Sequence, residues 1–428
     1  MNYVAMLKKH IFPNGLELIY QSSIQSIPIS CIYILCKVGS AYEKEDIRGI
    51  SHLVEHMCFT GTKNKKVKNL LYQYNKIGSD VNGHTTKQFT YYNIKTDDNH
   101  FEESYNIIID LLLHSTFPKK EFTKEQQIII QENTRNMNNH TTLMQNLIES
   151  IYYKGSSYEY PIDSITYHNL NYNDVIEWYK LFYVPSNMTI SIVSQIPFST
   201  ILKIVSNSEI ATRITHKSSV LKTLSLSPIH DSILYYPKNG MQTTMIQIGF
   251  RTCDYMSKDR YSLIILQSIM NGLSGKLFNE FRTKYALTYN TSCNVDFQEH
   301  TGYFSLLIET DRKNAMFTFS ILINLINEIK SGISDNDIYR ARHVLKGALL
   351  RSMEIIDTFA LYNSIESLYT KKIIPYQDLY SQYAKITKKK VNDVINRYFV
   401  RENILVCIMY DKYINKKDIN ILFEKLRV

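Results

Sequence analysis

Apolar residues along the first half of the chain follow two periods, one typical of strands and one typical of helices. Residues 30–43 and 84–96 form apolar or alternating runs that predict strands. Apolar positions spaced three and four residues apart predict helices around 67–77, over 101–114 and over 122–137. This order indicates an α/β pattern with few features of a parallel sheet.

The second half of the chain repeats this order. Residues 243–255 resemble the strand-like run at 30–42, a helix follows, and residues 301–311 again predict a strand. Helices are predicted near 313–331 and over 335–355. The repetition predicts two structurally similar domains, although only the first half carries the histidine motif described below.

A stretch rich in Ser, Thr and Lys separates the two halves. Residues 209–232 have no strong periodicity, so we predict that they form the interdomain linker. We expect one domain over residues 1–215 and a second over residues 229–428. Each is expected to be α+β, with a mixed or antiparallel sheet flanked by helices.

Length and composition favour a globular protein with large apolar cores. The chain has 428 residues, 44% of them hydrophobic, which is enough for two or more domains. No run reaches the roughly 18 to 20 uninterrupted apolar residues that a membrane helix requires, so we expect no membrane insertion. A strand-like pattern begins within about ten residues of the N-terminus, which leaves no room for a signal or transit peptide. This predicts a cytoplasmic location, with a mitochondrion-type organelle as the alternative.

Neither the cysteines nor the charge points to a specific partner. The six cysteines lack CxxC spacing and predict buried free thiols in a reducing compartment. The net charge of +9 is spread along the chain apart from clusters at 63–68 and 388–390, which solvated loops and helix ends explain. No nucleic-acid-binding module accompanies the charge, so we expect no nucleic-acid partner.

The chemistry of the chain is concentrated in the segment His52-Leu-Val-Glu55-His56. On a helix of about 3.6 residues per turn, His52 and His56 project from one face and can reach a single ion. Glu55 is then a candidate general base for a water that attacks a peptide carbonyl. The alternative is a surface helix with two solvated histidines, but the pattern arises by chance in only about one to two per cent of such chains. The order of these residues is the inverse of the common zinc-protease motif.

A catalytic zinc site needs a third protein ligand and an open position for water. The helix predicted over 122–137 offers Glu125 and Glu132, which share a helical face because they are seven residues apart. Glu132 can complete the site while Glu125, two turns away, contacts a ligand histidine from outside. Spacing alone leaves this assignment open.

Three segments of the chain carry a family resemblance: GSAYEKEDIRGISHLVEHMCFTGT, GSDVNGHTTKQFTYYNI and EQQIIIQEN. Together they resemble the pitrilysin and insulinase family, most closely its short-chain branch with the β subunit of mitochondrial processing peptidase and its bacterial relatives. The family's glycine, inverted motif, Phe-x-Gly-Thr phrase and distal glutamate fall on Gly49, His52–His56, Phe59–Thr62 and Glu132. The resemblance extends over nearly the whole chain.

This resemblance implies roles for the motif residues. It implies one zinc ion per chain with His52, His56 and Glu132 as ligands, Glu55 as the base, and Glu125 as the acid behind a ligand. The α subunit of the processing peptidase has a degenerate zinc motif, whereas this chain keeps all of these residues. The resemblance is therefore to a catalytic-type chain.

The resemblance also implies substrate-binding residues. Arg282 and Tyr289 match the family's Arg-(six residues)-Tyr element, which is implied to hold the substrate carbonyl and the developing oxyanion. Asn82, Gly83 and His84 match an edge strand, usually Asn-Ala-x-Thr, against which the substrate backbone pairs as an added strand. Gly83 in place of alanine is expected to loosen this strand without blocking it. His84 is expected to face substrate or solvent rather than the metal.

The sequence thus predicts a zinc-dependent endopeptidase that hydrolyses unfolded peptides or extended segments. The resemblance implies two similar α/β-roll domains and a clamshell dimer, formed by two copies or with a related chain. Each zinc site would then be completed by Arg282 and Tyr289 of the other chain. The alternative is a non-catalytic scaffold or assembly subunit, but relatives of that kind lose zinc-motif residues that this chain keeps.

Overall fold

The computed structural model describes residues 6–64, 67–162, 170–214, 226–229, 233–288, 290–370 and 372–428. The chain divides into two compact units, and each unit contains one segment from the other half of the chain. Unit 1 is formed by the described residues of Met1–Asn139, Ser157–Leu224 and Ser352–Tyr376. Unit 2 is formed by those of His140–Ser156, Ser225–Arg351 and Gln377–Val428.

Unit 1 is built on a six-stranded sheet. Its strands are β1 (Leu7–Ile11), β2 (Glu17–Ser22), β3 (Ile29–Cys36), β4 (Asp80–Thr85), β5 (Thr90–Asp97) and β6 (Met188–Ser194). Their spatial order is β1-β2-β6-β3-β5-β4, with β2 and β6 parallel and all other neighbours antiparallel. The strand β4 therefore lies at an edge of this sheet.

Helices cover both faces of the unit 1 sheet. Numbered along the whole chain, they are α1 (Ile50–Cys58), α2 (Val67–Lys76), α3 (Phe101–His114), α4 (Lys119–Asn138), α6 (Tyr172–Phe182), α7 (Phe198–Ser206), α8 (Glu209–Thr212) and α12 (Ile356–Tyr369). Ile32 and Ile34 of β3 lie in the core cluster that includes residues of α1 and α3. Cys31 and Tyr33 point to the opposite face and pack with Phe359 of α12. Because both faces are covered, β3 is apolar without interruption from Cys31 to Cys36.

Unit 2 repeats this topology with a five-stranded sheet. Its strands are β7 (Ile233–Pro237), β8 (Thr243–Thr252), β9 (Asn290–Phe297), β10 (Gly302–Asp311) and β11 (Ile404–Tyr410). The order β7-β11-β8-β10-β9 corresponds to β2-β6-β3-β5-β4, and β7 and β11 are again parallel. The helices are α5 (His140–Tyr152), α9 (Asp259–Met270), α10 (Ala315–Ser331), α11 (Asp335–Ser352), α13 (Leu379–Ala384), α14 (Lys388–Tyr398) and α15 (Lys416–Phe423).

The predicted fold class is confirmed by this architecture. Both units are α+β, both have mixed sheets flanked by helices, and the two share one strand order. The expected free, buried cysteines are also found, since all six thiols are buried and unbridged. Within the described part of the chain, none of the helices has the length and apolarity needed to cross a bilayer.

Two strand predictions are wrong in their extent. Residues 30–43 are predicted as one strand, but β3 ends at Cys36 and residues Ser40–Tyr42 form a short 3₁₀ helix. Residues 84–96 were predicted as a single strand, but β4 ends at Thr85 and β5 begins at Thr90. Between them the backbone N–H of Thr86 donates to the carbonyl of Phe89 at 2.8 Å, and the Thr86 hydroxyl donates to the same carbonyl at 2.7 Å. The threonine side chain thus closes a hairpin turn in the middle of a run that has strand-like composition.

The predicted linker lies only partly within the described residues. The segment 209–232 starts with the short helix Glu209–Thr212, while residues 215–225 and 230–232 lie outside the described part. The two compact units cross the predicted domain limits at the exchanged segments that contain α5 and α12. The expected domain boundaries at residues 215 and 229 therefore stay a prediction.

Candidate metal centre and active site

The motif helix α1 begins after a glycine and is capped by a carboxylate from the preceding loop. Gly49 has a φ of +88°, in the left-handed region that favours glycine. The carboxylate of Glu43 accepts hydrogen bonds from the backbone N–H groups of Gly49 at 2.7 Å and Ser51 at 2.8 Å. A negative charge at this helix end is also stabilised by the helix dipole. Burial nevertheless raises the pKa of Glu43 to about 7.

Three predicted ligand residues converge above α1 and α4. One ligand atom each from His52, His56 and Glu132 lies within 4.8 Å of the other two. The Oε2 atom of Glu132 is 3.9 Å from Nε2 of His52 and 3.7 Å from Nε2 of His56. The two imidazole rings are 4.7 Å apart at an interplanar angle of 86°. The helical spacing of the histidines therefore brings both Nε2 atoms toward one carboxylate oxygen.

The size of this cluster fits a zinc ion. Ligands at about 2.0–2.1 Å from a tetrahedral ion are separated from one another by about 3.3–3.4 Å. The two measured separations from Glu132 exceed that value by only a few tenths of an ångström. Two neutral imidazoles and one carboxylate are also a donor set that zinc enzymes use, with a position left for water.

Glu125 contacts the cluster from behind. Its Oε2 atom is 3.1 Å from Nδ1 of His56, the ring nitrogen on the opposite side from the cluster. A carboxylate at Nδ1 holds the Nδ1–H tautomer, which leaves the Nε2 lone pair available to a metal. The structure therefore places Glu132 next to both histidines and Glu125 at the outer nitrogen of one. This arrangement agrees with the roles expected from the resemblance, which remain predictions.

Glu55 lies buried between α1 and the edge strand β4. Its side chain is only 7% exposed, and the Thr85 hydroxyl donates a hydrogen bond to its Oε2 atom at 2.7 Å. Thr85 itself is buried at the end of β4. Sequence reasoning did not identify Thr85 as a partner of the expected base. Its place in the Asn-x-x-Thr pattern is the only trace of this contact in the sequence.

The residues expected to bind substrate lie along β4. Asn82 and His84 are exposed and alternate with Gly83, which lies on the side facing α1. The His84 ring lies 5.5 Å from the ring of Tyr91 on the neighbouring strand, so its nearest aromatic contact is within the sheet. His84 is not a member of the metal-type cluster found among the described residues.

Of the Arg and Tyr expected to steady the oxyanion, Arg282 belongs to unit 2. Arg282 lies on a seven-residue π-helix, Phe278–Lys284, and its guanidinium carbon is 5.1 Å from the ring centre of Phe278. Helical turns of this rare type are frequent at functional sites. Tyr289 lies outside the described residues. The expected action of this pair on the metal cluster stays a prediction.

Comparison with known proteins places this chain in a family. Residues 19–164 match the model for Insulinase (Peptidase family M16), and residues 169–345 match the model for the Peptidase M16 inactive domain. The chain is 24% identical over 409 residues to the uncharacterized zinc protease YmxG of Bacillus subtilis, covering 94% of this chain and 98% of that protein. It is 20% identical over 418 residues to a probable mitochondrial-processing peptidase subunit beta of Arabidopsis thaliana, covering 92% and 76% of the two chains.

A solved structure supports the same placement at the level of fold. A crystal structure of a protease from Helicobacter pylori superposes with a TM-score of 0.85, with 19% sequence identity. The match covers 95% of this chain and 100% of that one. Both family models, the relatives and the fold agree, and the chain belongs to peptidase family M16.

Proposed function

We propose that the protein is a zinc-dependent endopeptidase that hydrolyses unfolded peptides or extended segments. The observation that carries the proposal is the convergence of His52 and His56 of α1 with Glu132 of α4, next to the buried Glu55 of α1. The relative YmxG is described as a zinc protease, which agrees with this donor set.

Residues of this chain have separate roles in the proposed reaction. A zinc ion held by the cluster supplies Lewis acidity toward water and toward a carbonyl oxygen. Glu55 takes the proton of the attacking water and returns it to the leaving amine, as a general base and then a general acid. The hydroxyl of Thr85 holds one oxygen of that carboxylate, so the other oxygen is left for proton transfer. Glu125 keeps the His56 ring in its orientation.

The edge strand supports the choice of substrate. In the described sheet β4 pairs with β5 on one side, and its other side is the sheet edge. An extended peptide can add to such an edge through backbone hydrogen bonds, which a folded domain does not offer. Asn82, Gly83 and His84 would contact the added strand. We therefore assign unfolded or extended segments as substrates.

We further propose that two chains pair, either two copies or this chain with a related one. Each zinc site would be served by Arg282 and Tyr289 of the other chain, in a two-fold exchange. Glu55→Gln and Tyr289→Phe are each expected to be nearly inactive alone. A mixture that exchanges subunits should recover roughly a quarter of the wild-type activity per site, because half of its dimers contain one intact site. No recovery despite proven exchange would contradict completion by the other chain.

The proposed activity is tested on the purified chain with metal analysis and an unfolded peptide library. We expect close to one zinc per chain and peptide cleavage that chelation abolishes, while the circular dichroism spectrum stays largely unchanged because the apolar cores do not depend on the metal. A folded chain without zinc affinity would exclude the proposal. A chain that binds zinc but cleaves nothing, alone or with a related chain, would favour the scaffold alternative.

The name of the second matched model does not by itself favour that alternative. The inactive-domain description applies to residues 169–345, and the cluster and Glu55 lie outside that range. Every residue that the catalytic role requires in unit 1 is present and close to its expected partners.

A further inference from the structure

The helix α11 of unit 2 has an exposed face on which apolar and cationic side chains alternate. Of its 18 residues only Ile338 and Ala341 are buried. Three large apolar side chains are exposed, Tyr339 by 64%, Val344 by 43% and Leu350 by 57%. Single exposed apolar residues are common on protein surfaces, but a group of them on one surface marks a binding site. This face of α11 is therefore a candidate binding surface.

The charge on this helix has one sign. Residues 339–351 include four Lys or Arg residues and no Asp or Glu. The two acids at the start of the helix, Asp335 and Asp337, are each 3.8 Å from the ammonium nitrogen of a lysine that belongs to another segment. Lys346 and Arg351 are exposed, and in the described part of the chain no carboxylate forms an ion pair with either of them. Their charges are therefore available to an anionic ligand.

The exposed side chains lie on two neighbouring lines along the helix, because they are three, four or seven positions apart. The α11 face consists of Tyr339, His343, Val344, Lys346, Leu350 and Arg351. The ring of His343 lies against that of Tyr339, with centroids 4.2 Å apart. At about 1.5 Å per residue the face is about 16–18 Å long, which is the length of about five residues of extended peptide.

Two contacts attach α11 to the segment that leads to Arg282. The guanidinium group of Arg340 donates to the Ser274 hydroxyl at 3.3 Å. The ammonium nitrogen of Lys276 is 3.8 Å from a carboxylate oxygen of Asp337. Both contacts are made just before the π-helix that carries Arg282. The helix α11 therefore lies beside the segment whose arginine is expected to hold a substrate carbonyl.

We propose that the α11 face binds a segment of the extended peptide substrate that contains acidic and apolar residues. The proposal rests on the endopeptidase function, because only that function makes the ligand a substrate. Carboxylate side chains of the peptide would pair with Lys346 and Arg351, which gives charge complementarity. Apolar side chains of the peptide would cover Tyr339, Val344 and Leu350, which removes apolar surface from water.

A peptide fits this face better than other anionic partners do. Two exposed cations are few for a nucleic acid, whose binding relies on many phosphate contacts. A helix that lies in a membrane surface needs an apolar face separate from its charged face, whereas on the α11 face the cations lie among the apolar side chains. A short extended segment of mixed acidic and apolar residues matches both the length and the chemistry of the face.

Binding is measured by fluorescence anisotropy on the whole chain with Glu55→Gln, which is expected to hold the peptide without cleaving it. Three labelled peptides share one length and one set of apolar residues, and their intervening positions are all Glu, all Ser or all Lys. We expect the Glu peptide to bind about 3-fold to 10-fold more tightly than the Ser peptide, and the Lys peptide to bind most weakly. Salt at about 0.5 M should reduce these differences, because it screens exposed charges.

A double variant, Lys346→Gln with Arg351→Gln, removes both exposed cations of the α11 face. It should weaken binding of the Glu peptide by about 3-fold to 10-fold and leave binding of the Ser peptide within about two-fold. Leu350→Gln should weaken binding of both peptides, because it removes an apolar contact. The matched control is Lys417→Gln with Lys425→Gln, which makes the same change of net charge at exposed residues of unit 2 outside α11. It should change neither affinity.

Kinetics in the chain that keeps Glu55 connect the α11 face to the substrate. With the Glu peptide, the double variant at Lys346 and Arg351 should raise KM by about 3-fold to 10-fold and keep kcat within about two-fold, because it removes binding that the ground state and the transition state share. Equal affinities for the Glu and Lys peptides, equal effects of the two double variants, or an unchanged KM would each overturn the proposal.

Two further outcomes are decisive. A single-stranded RNA, or vesicles of phosphatidylcholine and phosphatidylserine, that bind as tightly as the Glu peptide and lose affinity equally in the double variant would overturn the assignment of a peptide ligand. If the wild type cleaves no peptide, the endopeptidase function fails and the substrate role fails with it. The anisotropy comparison then shows separately whether the α11 face binds acidic peptides.

Discussion

The helices α1 and α9 occupy the same place in the two repeated units but present different chemistry to the edge strand beside them. In unit 1, α1 carries His52, Glu55 and His56, and Glu55 bonds to the Thr85 hydroxyl of β4. In unit 2, no His, Asp or Glu follows Asp259 within α9. Amide side chains take their place at the edge strand.

The amides of unit 2 bond to the backbone of its edge strand β9. Asn271 accepts from the N–H of Cys293 at 2.8 Å and donates to its carbonyl at 2.8 Å, and Gln267 donates to the same carbonyl at 3.1 Å. Such bonds occupy backbone groups that an added strand would need. In unit 1 the corresponding helix instead places an acid beside the strand. The same fold therefore has amides bonded to Cys293 at the edge strand of unit 2 and a buried acid beside the edge strand of unit 1.

The largest expected effect comes from substituting Glu55, the acid that α1 places beside its edge strand and that α9 lacks. Glu55→Gln keeps the shape of the side chain and removes its proton-accepting ability, so kcat should fall by about 10²-fold to 10⁴-fold while zinc content stays near wild type. The matched variant in unit 2, Gln267→Ala, should keep kcat within about two-fold. Steady-state kinetics and metal analysis check both. Comparable losses in the two variants would mean that the difference between α1 and α9 is not catalytic.

The next largest effect is the loss of zinc affinity on substitution of the two glutamates of α4, Glu125 and Glu132. We expect the face of α4 that carries them to bind the metal in unit 1. Glu125→Gln should weaken zinc binding by about 10-fold to 100-fold, because it acts only through the His56 ring. Glu132→Gln should weaken zinc binding further, because its oxygen lies beside both histidines. Competition with a chelator of known affinity measures both constants. The opposite ranking would exchange the roles of the two residues.

A smaller effect concerns the side-chain hydrogen bonds at the starts of α1 and α9. Glu43 has an ordinary pKa of 4.5 that burial raises to about 7, so the folded chain binds its proton more tightly than the unfolded chain does. Its contribution to stability is therefore full below pH 4.5 and is lost as the pH rises through about 7. Between about pH 5 and pH 7.5 the wild type should lose about 1–3 kcal/mol more of its unfolding free energy than Glu43→Gln does.

Unit 2 supplies the control for this pH dependence. At the start of α9 the Ser257 hydroxyl, which does not titrate, accepts from the N–H of Asp259 at 3.2 Å. Ser257→Ala removes this hydrogen bond and should lower the free energy of unfolding by about 0.5–1.5 kcal/mol, by the same amount at each pH. Urea denaturation across the pH range measures both variants. If the free energy of unfolding changes with pH in parallel for the wild type and Glu43→Gln, Glu43 does not titrate in this range.

The smallest expected effect is at β9, the edge strand of unit 2. Asn271→Ala removes two hydrogen bonds to Cys293 and should lower stability by about 1 kcal/mol. Amide hydrogen exchange at Cys293 should become faster, because its N–H loses its acceptor. Gln267→Ala should have a smaller effect on both the stability and the exchange rate at Cys293, because Asn271 still donates to the same carbonyl. Unchanged exchange in Asn271→Ala would mean that another group protects the edge.

Local periodicity was enough to predict the parts of the site that lie on a single helix. The four-residue spacing of His52 and His56 is sufficient to put both rings on one face of α1, and the structure has them 4.7 Å apart. Repeated strand and helix patterns likewise predicted two similar units. These features depend on residues close in sequence, where the geometry of a helix or a strand is fixed in advance.

Contacts made by loops and distant strands were not predictable in this way. The cap from Glu43 depends on the path of the chain between residues 43 and 49, and the Thr85 bond depends on where β4 lies against α1. The hairpin turn at Thr86 was missed because the run around it has strand composition throughout. For Glu132 the family resemblance, rather than the spacing, selected it over Glu125.

Each unit contains one segment from the other half of the chain, and this affects when the unit can form during synthesis. Unit 1 contains the N-terminus of the described chain but also needs α12, from the segment Ser352–Tyr376, to cover the outer face of β3. A ribosome must therefore translate most of the chain before the cluster-bearing unit has all of its parts. Until then Cys31 and Tyr33 lack their apolar cover. A nascent chain that ends before α12 therefore leaves this apolar face of β3 without its cover, and transiently exposed apolar surface favours aggregation.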